Sequence, residues 1–290
     1  MKSSIRIFIL IFVVNIPVIS QIDTVHLKRD TTTAYNKWIP GGVIGLNINQ
    51  VAFKDWATGG ENSLSASIFT NFSLDYLKKK WSLLNELKMT FGESKAGSTP
   101  FRITDNEFFL EDIFIYRAGW FADPYVSNNV RTVLANGYDY SATPSVQVAA
   151  FFDPGYVTQG TGLRYSEIKG FTTRLGFAVR ETFTSKFIQY SDDTGTHDKV
   201  EKFKIETGIE SISEAKFVVA KNLLFSSRLD LFSQFKTLNV WDVRWDNTIC
   251  AQVNKFINVN LNVLVLYMQS VSLRTQIKEG LQLGVIYTFF

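Results

Sequence analysis

Hydrophobic and polar residues alternate along several long segments of the chain. The clearest is 63–76, where one face carries serine, asparagine and aspartate and the other is apolar: Leu64, Ala66, Ile68, Phe72, Leu74 and Tyr76. Segments 241–253 and 256–267 repeat the pattern. Successive side chains of a β-strand point to opposite faces, so a period of two predicts strands between two different environments.

Weaker alternation marks nine more segments: 43–53, 81–92, 106–118, 128–140, 144–152, 171–184, 203–219, 223–235 and 276–290. Many of the twelve segments exceed the roughly 5–6 residues of a strand in a soluble protein. A tilted strand that crosses a bilayer needs about 9–11 residues. We therefore predict an all-β fold, a transmembrane antiparallel up-and-down β-barrel of about twelve strands over residues 38–290.

The predicted connections alternate in length. Short ones fall at 77–80, 220–222 and 254–255, and long polar ones at 54–62, 93–105 and 185–202. Outer-membrane barrels have short periplasmic turns and long external loops, which matches this alternation. Segment 153–170 is long where a short turn is expected, so it is either a periplasmic insert or an error in the strand count.

A soluble β-sandwich or a lipocalin-like barrel would also alternate. Its apolar face would point inward and its outer face would be rich in charge. Here the polar face carries serine, asparagine, glutamine and charges of both signs, while tryptophan, tyrosine and phenylalanine lie near strand ends on the apolar face. This distribution favours lipid outside and a polar lumen inside.

The N-terminal segment 1–20 is typical of a secretory signal peptide. Two basic residues precede an apolar run at 7–14, and Asn15 ends that run well short of the roughly 20 residues of a spanning helix. Residues 21–37 are then expected to form a periplasmic tail. These features predict export to the outer membrane of a Gram-negative bacterium.

The C-terminal strand carries a polar residue, a glycine two positions later and two aromatic residues at alternate positions: Gln282, Gly284, Tyr287 and Phe289. This spacing is similar to the C-terminal signature read by the bacterial barrel-assembly machinery, which would then be a partner during biogenesis. The simpler alternative is a terminal strand of any β-protein.

The segment from Trp38 to Ser63 contains the motif Asp-Trp-Ala-Thr-Gly-Gly at residues 55–60. This segment resembles a Bacteroidetes family of outer-membrane β-barrel proteins that is classed as a domain of unknown function. The resemblance continues through 81–85, 151–156 and 222–233. It implies location and architecture, and it supplies no catalytic residues.

Charged residues on the predicted inward face form the first candidate site. If 223–235 and 240–253 pair as a hairpin in which facing residue numbers sum to about 474, Arg228 faces Asp246 and Asp230 faces Arg244. Unpaired charges would be costly in a confined lumen. The predicted network is Arg228, Asp230, Asp242, Arg244 and Asp246, with Arg174 and Arg180 on a separate inward face. Such a network either stiffens and plugs the barrel or lines a selective pore.

The loop after the first strand is the second candidate site. Its residues Asp55, Trp56, Gly59 and Gly60 combine an amphipathic ring with two flexible positions. This mouth loop would either contact a ligand or fold in to tie the barrel mouth.

The composition excludes several functions. A net charge of +3 gives too weak a field for nucleic-acid binding, and one cysteine forms no internal disulfide. The two histidines, His26 and His197, rule out a His-rich metal site, so we expect no metal and no cofactor. His197 lies in an acidic loop that superficially suits an outer-membrane hydrolase, but a solvated polar loop explains the same residues. No catalytic residues are assigned.

The sequence therefore predicts an outer-membrane barrel surrounded by lipid, either a small-solute channel or an accessory barrel of an envelope complex. A phospholipase-type or protease-type hydrolase and a purely structural or partner-binding barrel are the alternatives.

Overall fold

The computed structural model describes residues 36–54, 60–193, 199–269 and 271–289. Twelve of its strands form one closed barrel with antiparallel pairing throughout, which confirms the predicted fold class. The strands are β1 (Lys37–Val51), β2 (Ser63–Leu77), β3 (Trp81–Ala96), β4 (Arg102–Tyr116), β5 (Asp123–Thr132), β6 (Gly137–Asp139), β7 (Val146–Ala149), β8 (Gly155–Tyr165), β9 (Phe171–Phe183), β10 (Phe203–Ala220), β11 (Leu223–Gln234), β12 (Asp242–Gln252), β13 (Ile257–Met268) and β14 (Ser272–Thr288). Strands β6 and β7 form a separate two-stranded sheet.

The connections between barrel strands alternate between two ends of the barrel. The turn end holds the start of β1, the end of β14 and the connections 78–80, 117–122, 166–170, 221–222 and 253–256. The loop end holds 52–62, 97–101, 133–154, 184–202, 235–241 and 269–271. Short 3₁₀ turns occur at Ile188–Tyr190 and Phe235–Thr237, and no helix among the described residues has the length and hydropathy to cross a membrane.

The strand predicted at 144–152 is wrong. Part of it forms β7 in the small separate sheet, and the barrel strand is β8, inside the predicted connection 153–170. The inward positions of β8 include Gly160 and Gly162, so the period of two is weak there. The connection that remains at the turn end is 166–170, which removes the misfit in loop length.

The outward face of the barrel is apolar. Large aliphatic and aromatic side chains are 43–64% exposed along it, among them Leu46, Ile48, Ile68, Val126, Leu175, Phe177, Leu281 and Leu283. Exposed apolar surface of this extent is far beyond what a soluble monomer presents, and it matches the lipid-facing band of a membrane barrel.

Aromatic rings border this band at both ends. At the turn end, ring centroids follow one another at 4.8, 5.4 and 5.7 Å along Trp38, Tyr76, Trp81 and Phe114. At the loop end, a second chain of rings runs through Phe108, Phe151, Phe152, Phe183 and Phe203. Two aromatic girdles that flank an apolar band are the arrangement of membrane-spanning barrels.

Two inward positions of β8 and β9, Gly162 and Gly176, have no room for a side chain. A Cβ at Gly162 would meet the Leu175 carbonyl oxygen, and a Cβ at Gly176 would lie 2.7 Å from the Tyr125 hydroxyl. Glycine in a strand interior marks this kind of close approach. At Gly176, the absence of a side chain lets the barrel wall lie directly against the Tyr125 hydroxyl.

A small hydrophobic core lies inside the barrel at the turn end. It is formed by inward side chains of β2 to β5 with Ile39 of β1 packed against them: Leu77, Leu84, Ile113, Ile115 and Tyr125, each at most 8% exposed. The lumen is therefore polar only in part. The sequence predicted a polar lumen, and this end of the lumen is apolar.

The barrel closes between its first and last strands along a short seam. Strands β1 and β14 share six residue pairs, from Val43↔Thr288 to Ile48↔Leu283, whereas β1 and β2 share fifteen.

Candidate lumenal site

The predicted pairing of β11 with β12 is present in the structure. Facing residues sum to 474, so Arg228 lies opposite Asp246 and Asp230 lies opposite Arg244. The ion pairs, however, run along each strand: Arg228 Nε is 2.8 Å from Asp230 Oδ1, and Arg244 Nε is 2.8 Å from Asp246 Oδ2. The remaining guanidinium nitrogens are free to reach across the lumen.

Glu111 of β4 is the centre of the buried part of the network. It receives Arg174 Nη2 at 2.7 Å and Arg228 Nη1 at 2.9 Å, and these three side chains are 3–10% exposed. Arg228 also pairs with Glu214 at 2.9 Å. Because each charge has partners of the opposite sign, the cluster avoids the large penalty of a buried unpaired charge.

A second group of charges spans the full width of the barrel. Arg244 Nη2 of β12 lies 2.9 Å from Glu107 Oε1 and 3.2 Å from Oε2 on β4. Five strands separate β4 from β12 on either side of the wall, so this contact joins opposite walls. Arg131 of β5 pairs with Glu107 as well and reaches Asp230 at 3.4 Å. We call the Arg244–Glu107 contact the cross-lumen bridge.

The remaining predicted charges lie nearer the loop end. Arg180 Nη1 is 2.6 Å from Asp242 Oδ2, and its guanidinium lies 4.0 Å from the centroid of the Phe232 ring. Asp242 and Phe232 also line a cavity of about 260 Å³ together with Lys204, Gln234, Thr237, Val240 and Gln269. This cavity opens beside the first residues of β12.

Sequence reasoning missed Glu107, Glu111, Arg131 and Glu214. Glu107 and Glu111 do alternate, but Phe109 and Ile113 share their inward face, so segment 106–118 gave only a weak signal. Arg228 and Arg244, which contact Glu111 and Glu107, lie more than a hundred residues further along the chain, and no period within one strand reveals such contacts.

Neutral amides line the wall near the seam. Asn47 Nδ2 donates to Gln282 Oε1 at 2.9 Å, and Asn258 Nδ2 donates to Asn260 Oδ1 at 3.1 Å. Cys250 faces the same part of the lumen, with Asn258 Nδ2 3.7 Å from its sulfur. Gln282 and Gly284 of the predicted sorting signature thus point inward, while Tyr287 and Phe289 are 57% and 47% exposed on the outside.

Substitution of Gly284 by alanine is expected to destabilise the barrel. The added Cβ would meet the Asn258 side-chain oxygen and would lie 2.6 Å from Asn47 Oδ1. Overpacking of this kind costs about 1–3 kcal/mol. Urea unfolding of the barrel in lipid vesicles measures the loss. Gly280→Ala is the matched control on β14, since its nearest neighbour, Gln282 Nε2, is 3.8 Å away. Equal stabilities of the two variants would contradict the prediction.

Only Gly60 of the predicted mouth loop lies among the described residues, where the Phe53 ring packs against it. Asp55, Trp56 and Gly59 lie outside the described residues, as do both histidines and the predicted signal peptide. Their proposed roles stay predictions.

Two other loops at the loop end are joined by Asp153. Its carboxylate accepts the backbone N–H of Lys186 at 2.7 Å and that of Ser185 at 2.9 Å. Burial by itself would raise the pKa of Asp153, but these N–H donors outweigh it and hold the pKa below its usual range. This contact therefore stabilises the loop above the ordinary Asp pKa and is lost as pH falls through the lower folded-state pKa.

Asp153→Asn is expected to loosen this loop at neutral pH, because hydrogen bonds to a charged group contribute about 1.5–3 kcal/mol. Hydrogen exchange of the amides at 185–187 should show lower protection than in the wild type, and acidification should reduce wild-type protection in the same way. Asp139→Asn is the control, since the Asp139 carboxylate accepts hydrogen bonds from Ser141 within its own turn. Unchanged protection at 185–187 in Asp153→Asn would refute the role of the carboxylate.

Among the described residues, no group of three or more His, Cys, Asp and Glu side chains could hold a metal ion.

Residues 48–138 match a family described as "Protein of unknown function (DUF3078)". This match agrees with the predicted resemblance to a domain of unknown function. The Bacteroidetes origin stays a prediction.

No curated protein matches the sequence. Among solved structures, the chain is similar to the translocator domain of the autotransporter NalP from Neisseria meningitidis, with 9% identity, 91% of each chain covered and a TM-score of 0.37. An outer-membrane channel from Pseudomonas putida F1 has 11% identity, a TM-score of 0.37 and coverage of 88% of this chain and 97% of its own.

Proposed function

We propose that the barrel lies in the outer membrane with its turn end in the periplasm, and that its lumen is closed at rest. It then acts through its surfaces, as an accessory barrel of an envelope complex, and not as an open diffusion pore. The observation that carries this proposal is the cross-lumen bridge, because Arg244 and Glu107 meet from opposite walls.

The space on one side of the bridge is filled. Arg228 and Arg174 converge on Glu111 there, and the Tyr125 hydroxyl donates to Glu210 at 2.7 Å. Nearer the turn end, the hydrophobic core occupies the lumen beside β2 to β5. A barrel of eight strands is just filled by side chains, and barrels of 16–18 strands hold an aqueous channel. At twelve strands, long paired side chains are enough to close the lumen.

Planar-bilayer recording of the refolded wild type tests this proposal. We expect no conductance steps from barrels whose insertion is verified by their heat-dependent gel mobility. A general porin refolded in the same way shows that the preparation supports conductance. Steady open-channel current from the wild type would overturn the proposal.

A small-solute channel that opens only at times is the second candidate. It is favoured by charged inward side chains that remain open to water: Lys88, Asp246 and Lys278 are 38%, 37% and 53% exposed. These residues would form a hydrated vestibule beside the bridge. Brief openings of the wild type would favour this candidate over the accessory barrel if their conductance equals that of a variant without the cross-lumen bridge.

A further inference from the structure

Four polar side chains form a row on the outward face. Asn85 of β3 pairs with Asp112 of β4, Asp112 with Asn128 of β5, and Asn128 with Gln159 of β8. They face outward because their neighbours along each strand, such as Glu111 and Ser127, are buried inside the barrel. We call these four residues the polar row.

The polar row lies within the apolar band and not at its border. From one girdle to the other, the outward residues of β4 are Phe108 at the loop end, then Leu110 and Asp112, then Phe114 at the turn end. Asp112 is two residues from Phe114, or about 7 Å along the strand. Its carboxyl group therefore lies at the depth of hydrocarbon.

A carboxyl group at this depth is costly against lipid. Asn128 lies directly opposite Asp112 in the strand register, and a carboxylate can accept about four hydrogen bonds. Ionisable residues inside a membrane usually face a protein or a water-filled space, and they mark functional positions. The outward side of Asp112 is thus better suited to another protein surface than to acyl chains.

An apolar groove of about 390 Å³ adjoins the polar row at Gln159. Its wall includes Val126, Phe177, Phe235 and Thr207, and Val126 and Phe177 are 56% and 64% exposed. Protein interfaces within a membrane combine apolar surface with hydrogen-bonding side chains that hold the two partners together. The groove and the polar row have this combination.

We infer that the polar row and the groove bind a second copy of this chain. Side-chain amides both donate and accept, so the row is complementary to itself. A two-fold axis parallel to the barrel axis and between Asp112 and Asn128 places each carboxylate against Asn128 of the second copy. This inference rests on the proposed position of the outward face in the membrane.

Cross-linking in lipid vesicles tests the inference. In a Cys250→Ala background, Val126→Cys lies beside the row on β5, and Leu261→Cys is the control on β13, with five strands between β5 and β13 on either side. We expect a disulfide-linked dimer from Val126→Cys and none from Leu261→Cys. Adding Asp112→Val should abolish the cross-link. That change removes a charge from the lipid face, so it should not unfold the barrel.

Three results would overturn the inference: no dimer from inserted Val126→Cys barrels, equal cross-linking at both positions, or a cross-link that persists in Asp112→Val. A stoichiometric cross-link to a different protein in native membranes would also exclude the second copy as the occupant. Barrels that fail to insert into vesicles would refute the membrane position itself. Conductance of the wild type would refute only the proposed closed lumen.

Discussion

Replacement of both Glu107 and Arg244 by alanine is expected to convert a silent barrel into one that shows discrete conductance steps. The two side chains meet from opposite walls, and their removal leaves the net charge unchanged because one acid and one base are lost. The amide-lined side of the lumen, beside β13 and β14, would then communicate with the vestibule at Lys88. Planar-bilayer recording of the verified barrel measures the effect.

The control for this experiment is the double variant Asp105→Ala/Lys278→Ala. These two residues also form an ion pair between strands, but Lys278 is 53% exposed at the loop end. Loss of this ion pair should leave the barrel without conductance steps. A folded Glu107→Ala/Arg244→Ala barrel without current would mean that other groups close the lumen, with Arg228 and Glu111 as the first to examine.

Replacement of Glu111 by alanine is expected to cost about 3–5 kcal/mol of folding free energy. Arg174 and Arg228 would keep their charges but lose the carboxylate between them, in a place where Glu111 and Arg174 are only 4% and 3% exposed. Urea titration in lipid vesicles, with the folded fraction read from gel mobility, measures the change.

Two control variants allow the urea titration of Glu111→Ala to be interpreted. Asp105→Ala removes a carboxylate from a pair whose lysine, Lys278, is 53% exposed, and it should cost less than about 1 kcal/mol. Glu111→Gln keeps the shape of the side chain without its charge, so it should be destabilising as well. If Glu111→Ala costs no more than Asp105→Ala, water must reach the two arginines and the cluster is not dry.

Much of the fold could be predicted because the barrel wall separates two different environments, so that apolar and polar residues alternate along each strand with a period of two. Strands β2, β12 and β13 alternate cleanly, and the predicted sum of 474 gives the pairing of β11 with β12. The prediction failed at β8, where inward glycines at 160 and 162 replace the polar side chains that would have made the alternation visible.

The candidate site was predictable only in part. The inward orientation of Arg228, Arg244 and their neighbours follows from alternation within each strand. Their actual partners, Glu111 and Glu107, depend on which strands face each other across the closed lumen. That relation is set by the number of strands, their tilt and the close approach of β8 and β9 to the interior. None of these properties can be read from the sequence of a single strand.

The short seam between β1 and β14 makes the wall uneven in strength. Six residue pairs hold the first and last strands together, against fifteen between β1 and β2. Backbone hydrogen bonds are the main attachment between neighbouring strands, so opening fluctuations should begin along this line. We therefore expect β1 and β14 to separate before any hairpin of the barrel comes apart. During assembly, we expect their pairing to form last.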